Sequence, residues 1–205
     1  MRLTVAVGVV VGLAGCSVQV PVTDGRMRPF ACPAAGTRTM VERASGPPYT
    51  TVWLGADPKD PELCLSENAS GKNKRQRVFG RWNFDDDSGG SVEERIAARQ
   101  AVANLLAGRS GSAGFVLRGK TGEQISQQWR VEGPDDQSIQ GRTVKAVRIR
   151  INYTYSGNAS NNYSDVWYAP DYNLFIRSEG TSDLESIYIW RIVRINDRHS
   201  LQPKR

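Results

Sequence analysis

The sequence predicts a mainly β chain with one helix, an α+β domain whose curved antiparallel sheet is half-barrel-like. Three observations predict it. Short apolar pieces recur between turn residues along most of the chain, strict alternation runs from Val147 to Tyr155, and a single capped segment with helical spacing begins at Ser91. At 205 residues the chain is long enough for one sizeable core and marginal for two, so one domain over residues 36–198 is expected.

The first four strands read as Thr37 to Arg43, Thr50 to Leu54, Leu63 to Ser66 and Arg77 to Phe84. They are broken by Gly46-Pro47-Pro48, by Asp57 to Pro61 and by Ser70-Gly71-Lys72. The run Asp85 to Gly90 stops the sheet, and Ser91 with Glu94 three residues on has the capping-box pattern. A helix near 91–108 follows, with Val92, Ile96, Ala103 and Leu106 on one face, Val102 and Leu105 widening it, and Gly108 as terminator. Asp85-Asp86-Asp87 lacks the spaced ligands of an EF-hand, and acids beside a helix start complement its dipole. After a glycine-rich turn at 108–114, strands resume at Phe115 to Arg118, Ile125 to Glu132, Thr143 to Tyr155, Ser164 to Tyr168, Leu174 to Ser178 and Ser186 to Ile195. Val147, Ile149, Ile151, Tyr153 and Tyr155 alternate with Arg148, Arg150, Asn152 and Thr154, one face for a core and one for water. Ser156 to Asn162 reads as a polar hairpin loop, and Pro170 ends the strand that precedes it. The five tryptophans read as core residues in preference to groove lining.

The beginning of the chain is an address. Met1-Arg2, an uncharged apolar run from Leu3 to Gly12 and then small residues form the pattern of a secretory signal over residues 1–15, too short to span a bilayer as a helix. Leu13-Ala14-Gly15-Cys16 resembles the bacterial lipobox. That resemblance implies cleavage before Cys16 and lipidation of its thiol, which ties the protein to a membrane; the alternative is a plain secreted chain. Ser17, where an aspartate retains such proteins at the inner membrane of enteric bacteria, implies the periplasmic face of the outer membrane. Residues 16–35, with Pro21, Pro29 and Pro33, read as a lipidated tether, and residues 199–205 as a polar tail. Once Cys16 carries lipid, Cys32 and Cys64 remain, and an export compartment favours a disulfide between them over two separate buried thiols.

Charge and chemistry narrow the function classes. The chain carries 27 basic and 21 acidic residues, spread without a dense block before Lys204-Arg205, which speaks against nucleic acid as a partner. One histidine, His199, leaves a serine nucleophile without a base and zinc without a ligand set. No enzyme activity and no cofactor or metal are expected. The strand ending in Trp167-Tyr168-Ala169-Pro170, a tight turn and a return strand with an outward Arg177 resemble a hairpin of uncharacterised bacterial envelope proteins. With Gln140 to Val147 pairing beside that hairpin, the sheet is similar to the half-barrel of lipoprotein carriers of the LolA and LolB kind, over about Leu105 to Ile195. The resemblance implies a non-enzymatic envelope lipoprotein that binds an apolar or amphipathic ligand on a concave sheet, with Trp167, Tyr168, Tyr172 and Arg177 as candidate ligand or interaction residues. The alternative is a domain filled solid that serves as a structural or protein-interaction component with an envelope partner.

Overall fold

The computed structural model describes residues 25–81, 91–118, 122–155, 158–181 and 190–196. The leader with Cys16, Trp82, the acidic triplet at 85–87, the connection at 182–189, and His199 with the polar tail lie outside them. The strands are β1 (Arg38–Arg43), β2 (Tyr49–Asp57), β3 (Asp60–Asn68), β4 (Arg75–Val78), β5 (Ser112–Arg118), β6 (Gln124–Pro134), β7 (Gln137–Ile139), β8 (Arg142–Val144), β9 (Val147–Tyr155), β10 (Asn158–Ala169), β11 (Leu174–Thr181) and β12 (Trp190–Asn196), with one helix, α1 (Val92–Leu106), between β4 and β5. Ten strands form a single sheet in the order β4-β3-β2-β1-β12-β11-β10-β9-β6-β5, and β7 and β8 form a separate hairpin. Every ladder in the large sheet is antiparallel. Its edges, β4 and β5, do not pair with each other, so the sheet is open.

The helix is specified at both ends. The Ser91 hydroxyl accepts from the Glu94 amide at 3.1 Å while the Glu94 carboxylate accepts from the Ser91 amide at 2.9 Å, the reciprocal capping box. At the other end Gly108 takes φ +69°, and its amide and that of Arg109 donate back to Leu105 and Asn104, which closes a Schellman motif. The buried stripe is Ala98, Val102, Leu105 and Leu106. Val92 and Ile96, expected on that face, are 56% and 61% exposed. The stripe is turned about the axis because Arg99 reaches β3, where it donates to Asp60 at 2.6 and 2.8 Å and to Glu62 at 3.0 Å.

Two hydrophobic clusters result. The first joins α1 to Phe115, Trp129, Ile149, Ile151, Val166, Tyr168 and Phe175, together with Val78 and Phe79. The second joins Val41, Trp53, Cys64, Trp167, Ala169, Leu174, Ile176 and Ile192 with Ile139 and Val144 of the β7–β8 hairpin and the adjacent Ala146. Trp190 packs partly on both.

Several expected boundaries move for identifiable reasons. The strand expected over Thr143 to Tyr155 is interrupted at Lys145 and Ala146, and the Gln140 to Val147 segment does not pair with the aromatic hairpin; of it only Val147 does, with Tyr168. Gln140 and Gly141 both take positive φ, 54° and 72°, the signature of a two-residue turn that folds β8 back on β7 instead. Strand β4 stops at Val78 because Phe79 and Gly80 turn through positive φ. The polar stretch expected as a loop at 156–162 is strand from Asn158, since a ladder joins backbones whatever side chains they carry. Residues 112–114, expected in a turn, pair with β6; a side chain at Gly114 would meet Gln128 at 2.6 Å.

Residues 25–35, the second half of the expected tether, carry no helix or strand, yet they lie on the domain. Met27 and Phe30 pack against the first cluster and Phe30 also against the second; the Phe30 ring stands edge-on to Phe79 at 5.2 Å. Arg28 pairs with Asp171 at 3.5 Å, and the Ala31 amide donates to Asn173 at 3.4 Å. Cys32 and Cys64 are joined, closing a loop of sequence separation 32.

Closing a loop of that length stabilises a fold by about 3 to 4 kcal/mol on the chain-entropy argument. Reduction is therefore expected to lower the thermal midpoint by roughly 6 to 16 °C, read by calorimetry of the native and the reduced, alkylated protein. A second expectation concerns pH. The hydrogen bond from Arg99 holds the Asp60 carboxyl below its ordinary value, so the contribution is complete above the unfolded carboxylate range and is lost as pH falls through the lower folded value. The gap in melting temperature between wild type and Arg99→Met should be full at pH 7 and shrink towards pH 2.

Candidate functional site

The four residues singled out by sequence do not form one site. Trp167 and Tyr168 are consecutive strand residues and point to opposite faces; Trp167 joins the second cluster and Tyr168 the first. Tyr168 is fully buried, with its hydroxyl donating to Asn173 at 3.3 Å, and burial raises its phenol above the ordinary range. Tyr172 sits in the β10–β11 turn, where its amide donates to Ala169 and its ring lies half-buried against the second cluster.

The structure does bring Trp167 and Arg177 together. They are register partners on β10 and β11, and the guanidinium stands 4.5 Å from the indole ring centroid, a cation–π contact. The indole N–H donates to Asp135 at 2.8 Å. Arg177 Nη1 donates to Gln137 of β7 at 2.9 Å and Nε to Glu179 at 2.8 Å. Trp167 is only 4% exposed, so its ring is covered by its own neighbours.

Beyond Arg177 an open cleft of about 380 Å³ lies between β7, β11, β12 and the end of β1. It is near the small end of the range for ligand sites, which are mostly apolar, and its wall is strongly charged. Arg43, Arg177 and Arg191 line it with Glu42 and Glu179. Arg177 and Arg191 face each other in the ladder, a like-charge arrangement that is unfavourable alone. Each has its own carboxylate, Glu179 for Arg177 and, at 3.0 Å, Glu42 for Arg191. Arg43 stacks over the Tyr49 ring at 4.3 Å. Two residues before Trp167 on β10, Asp165 is gripped by Arg150 of β9 through two bonds of 2.9 and 2.8 Å, and the guanidinium lies over Tyr163.

Such an arrangement presents guanidinium groups over a partly apolar floor of Ile139, Ile176 and Ile192. It suits polar or anionic groups and not an alkyl chain. Sequence reasoning located Arg177 by its outward position but missed Asp135, Gln137, Glu42 and Arg191. Asp135 reads as a loop acid, and nothing local signals that a hairpin 40 residues from Arg177 carries its partner.

The fold defines an open, ten-stranded antiparallel sheet with one helix and one covering hairpin. Among solved structures the chain is similar to the hypothetical lipoprotein YmcC from Escherichia coli K12, at 12% identity and a TM-score of 0.47, over 82% of this chain and 87% of that one. It is also similar to an exported protein with a YmcC-like fold from Bacteroides fragilis NCTC 9343, at 14% identity and a TM-score of 0.43, over 82% of this chain and 99% of that one. No family model matches the chain, and no curated protein matches it.

Trp167→Ala should destabilise the domain by about 3 to 5 kcal/mol, the range for deleting a buried aromatic, whereas Arg191→Ala should change stability by less than about 1 kcal/mol, because it removes a surface ion pair. Urea melts of both variants check this contrast.

Proposed function

We propose that this is a non-enzymatic cell-envelope lipoprotein whose folded domain works as a structural or protein-interaction component, not as a carrier of an apolar ligand. The observation that carries the reading is that β10 is covered on both sides. Trp167 is 4% and Tyr168 0% exposed, and Trp129, Ile149, Ile151 and Val166 beside them are equally filled in. An acyl chain would have to displace close-packed side chains, at several kcal/mol for each large one removed. The half-barrel curvature is part of the proposal: α1 packs on Phe115 of β5, at one edge of the sheet, while its Arg99 bonds β3, next to the other edge, which favours a sheet bent around the helix. The lipobox-like Leu13 to Cys16 and the Cys32–Cys64 disulfide support export and attachment at the outer membrane's periplasmic face. Among the described residues no helix is long and apolar enough to cross a membrane.

Two measurements test the two halves. Titration of the mature protein with a fluorescent fatty acid should give no saturable binding at micromolar concentrations; a one-to-one isotherm lost in Trp167→Ala would reinstate the carrier. Radiolabelled palmitate should enter the wild type and not Cys16→Ser, and a wild type without label would remove the anchor.

A further inference from the structure

We propose that the domain stands on its membrane in one orientation, with the end formed by the α1 C-terminus and the β10–β11 turn against the lipid headgroups and the end where β5 stops and β6 begins facing away. The inference rests on the lipid-anchor reading above and goes beyond it. Its basis is where the tether stops being a tether.

From Gly25 onwards the chain lies against the domain. A Cβ there would touch the Lys145 side chain at 3.0 Å, and Met27 lies so close to Gly108 that a Cβ on the glycine would meet it at 3.0 Å. Arg28 then pairs with Asp171, Phe30 enters the core and Cys32 is covalently held. Lys145, Gly108 and Asp171 belong to one end of the molecule. Val147, where β9 begins, is opposite Tyr168 near the end of β10 and opposite Pro134 at the end of β6. The other end holds Tyr155 opposite Ile125 and the Arg118–Glu94 pair. The cleft lies nearer the first end, since its Arg177 is level with Trp167 and Arg148, one residue from Val147.

Geometry then restricts the attached protein. Nine residue steps separate Cys16 from Gly25, a reach of about 30 Å at full extension. Strand β9 alone, at nine residues, is about 30 Å long. A tether no longer than the domain, leaving from one end, cannot carry the opposite end to the surface without first doubling back along the protein. Charge favours the same pose. Arg26 and Arg109 are exposed at the exit, Arg28 and Lys145 are half-exposed, and each basic residue near an anionic leaflet strengthens attraction roughly five-fold. Asp171, Asp136 and Asp135 are acids there, bonded by Arg28, Lys145 and the Trp167 indole; Asp24 precedes Gly25. The partner of this end is therefore the bilayer that holds the anchor.

The test does not depend on lipidation in cells. With Cys32 and Cys64 joined, the mature chain has one free thiol, Cys16, which can be coupled to maleimide-bearing lipid in vesicles of phosphatidylglycerol and phosphatidylcholine. A headgroup diazirine lipid is then photolysed and the adducts are mapped by mass spectrometry. At least ten-fold more adducts are expected in peptides covering 25–28, 107–111 and 142–147 than in those covering 115–118 and 122–126. Inserting twenty Gly/Ser residues after Val22 should reduce that ratio several-fold. Adducts spread evenly, or concentrated on 115–118 and 122–126, would overturn the orientation, while the palmitate experiment separately decides whether the anchor exists in the cell.

Discussion

Strand β10 is buried on both faces, and the architecture follows from satisfying that demand. A strand with one wet face needs a single cover; one carrying Trp167 and Tyr168 in succession needs two. The helix supplies the first, with Ala98, Val102, Leu105 and Leu106 placed over the Tyr168 side. The β7–β8 hairpin supplies the second, with Ile139 and Val144 placed over the Trp167 side. Position matters as well as area. Trp167 buries a polar N–H that Asp135 must accept, and Asp135 sits at the approach to the hairpin, so the hydrogen bond and the cover are set by the same few residues.

The N-terminal segment is the third consequence. Phe30 packs against both clusters, which makes it a plug at the place where the two covers leave a gap. A segment of eleven residues without ladder hydrogen bonds would leave the surface readily, since ordering each residue costs roughly 1 to 2 kcal/mol. The disulfide to Cys64 offsets that cost by holding the segment near its site even when its weaker contacts open. Cys64 is fully buried, so the staple is anchored in the core. Completion of the core and the covalent staple thereby share one stretch of chain.

What was legible in the sequence divides along a physical line. Features encoded within a few residues were readable: the Ser91–Glu94 box, Gly108 as terminator, the alternation of β9, Pro170 closing β10 and the cysteine pair left by subtraction. Features that depend on distant partners were not. The helix stripe is set by Arg99 finding Asp60, 39 residues away, and a short helix with small alanine-rich faces has little apolar asymmetry to betray its rotation. The β7–β8 hairpin is three residues per strand, below the length at which alternation can be recognised. Polar strand ends, such as the start of β10, are invisible to hydrophobic pattern because only their backbones pair.

The three arginines of the cleft differ in what they are free to do. Arg177 is committed to the fold: it covers the Trp167 ring, bonds the hairpin through Gln137 and pairs with Glu179, so moving it uncovers an indole and orphans an amide. Arg191 and Glu42 are 68% and 40% exposed, and a pair of that kind is worth at most about 1 kcal/mol. Separating Arg191 from Glu42 therefore costs little. Arg43 lays its guanidinium over the Tyr49 ring. The cleft is thereby divided into a fixed wall, Arg177, and an exposed rim, Arg43 and Arg191, and a change on the rim leaves the core beneath the wall undisturbed.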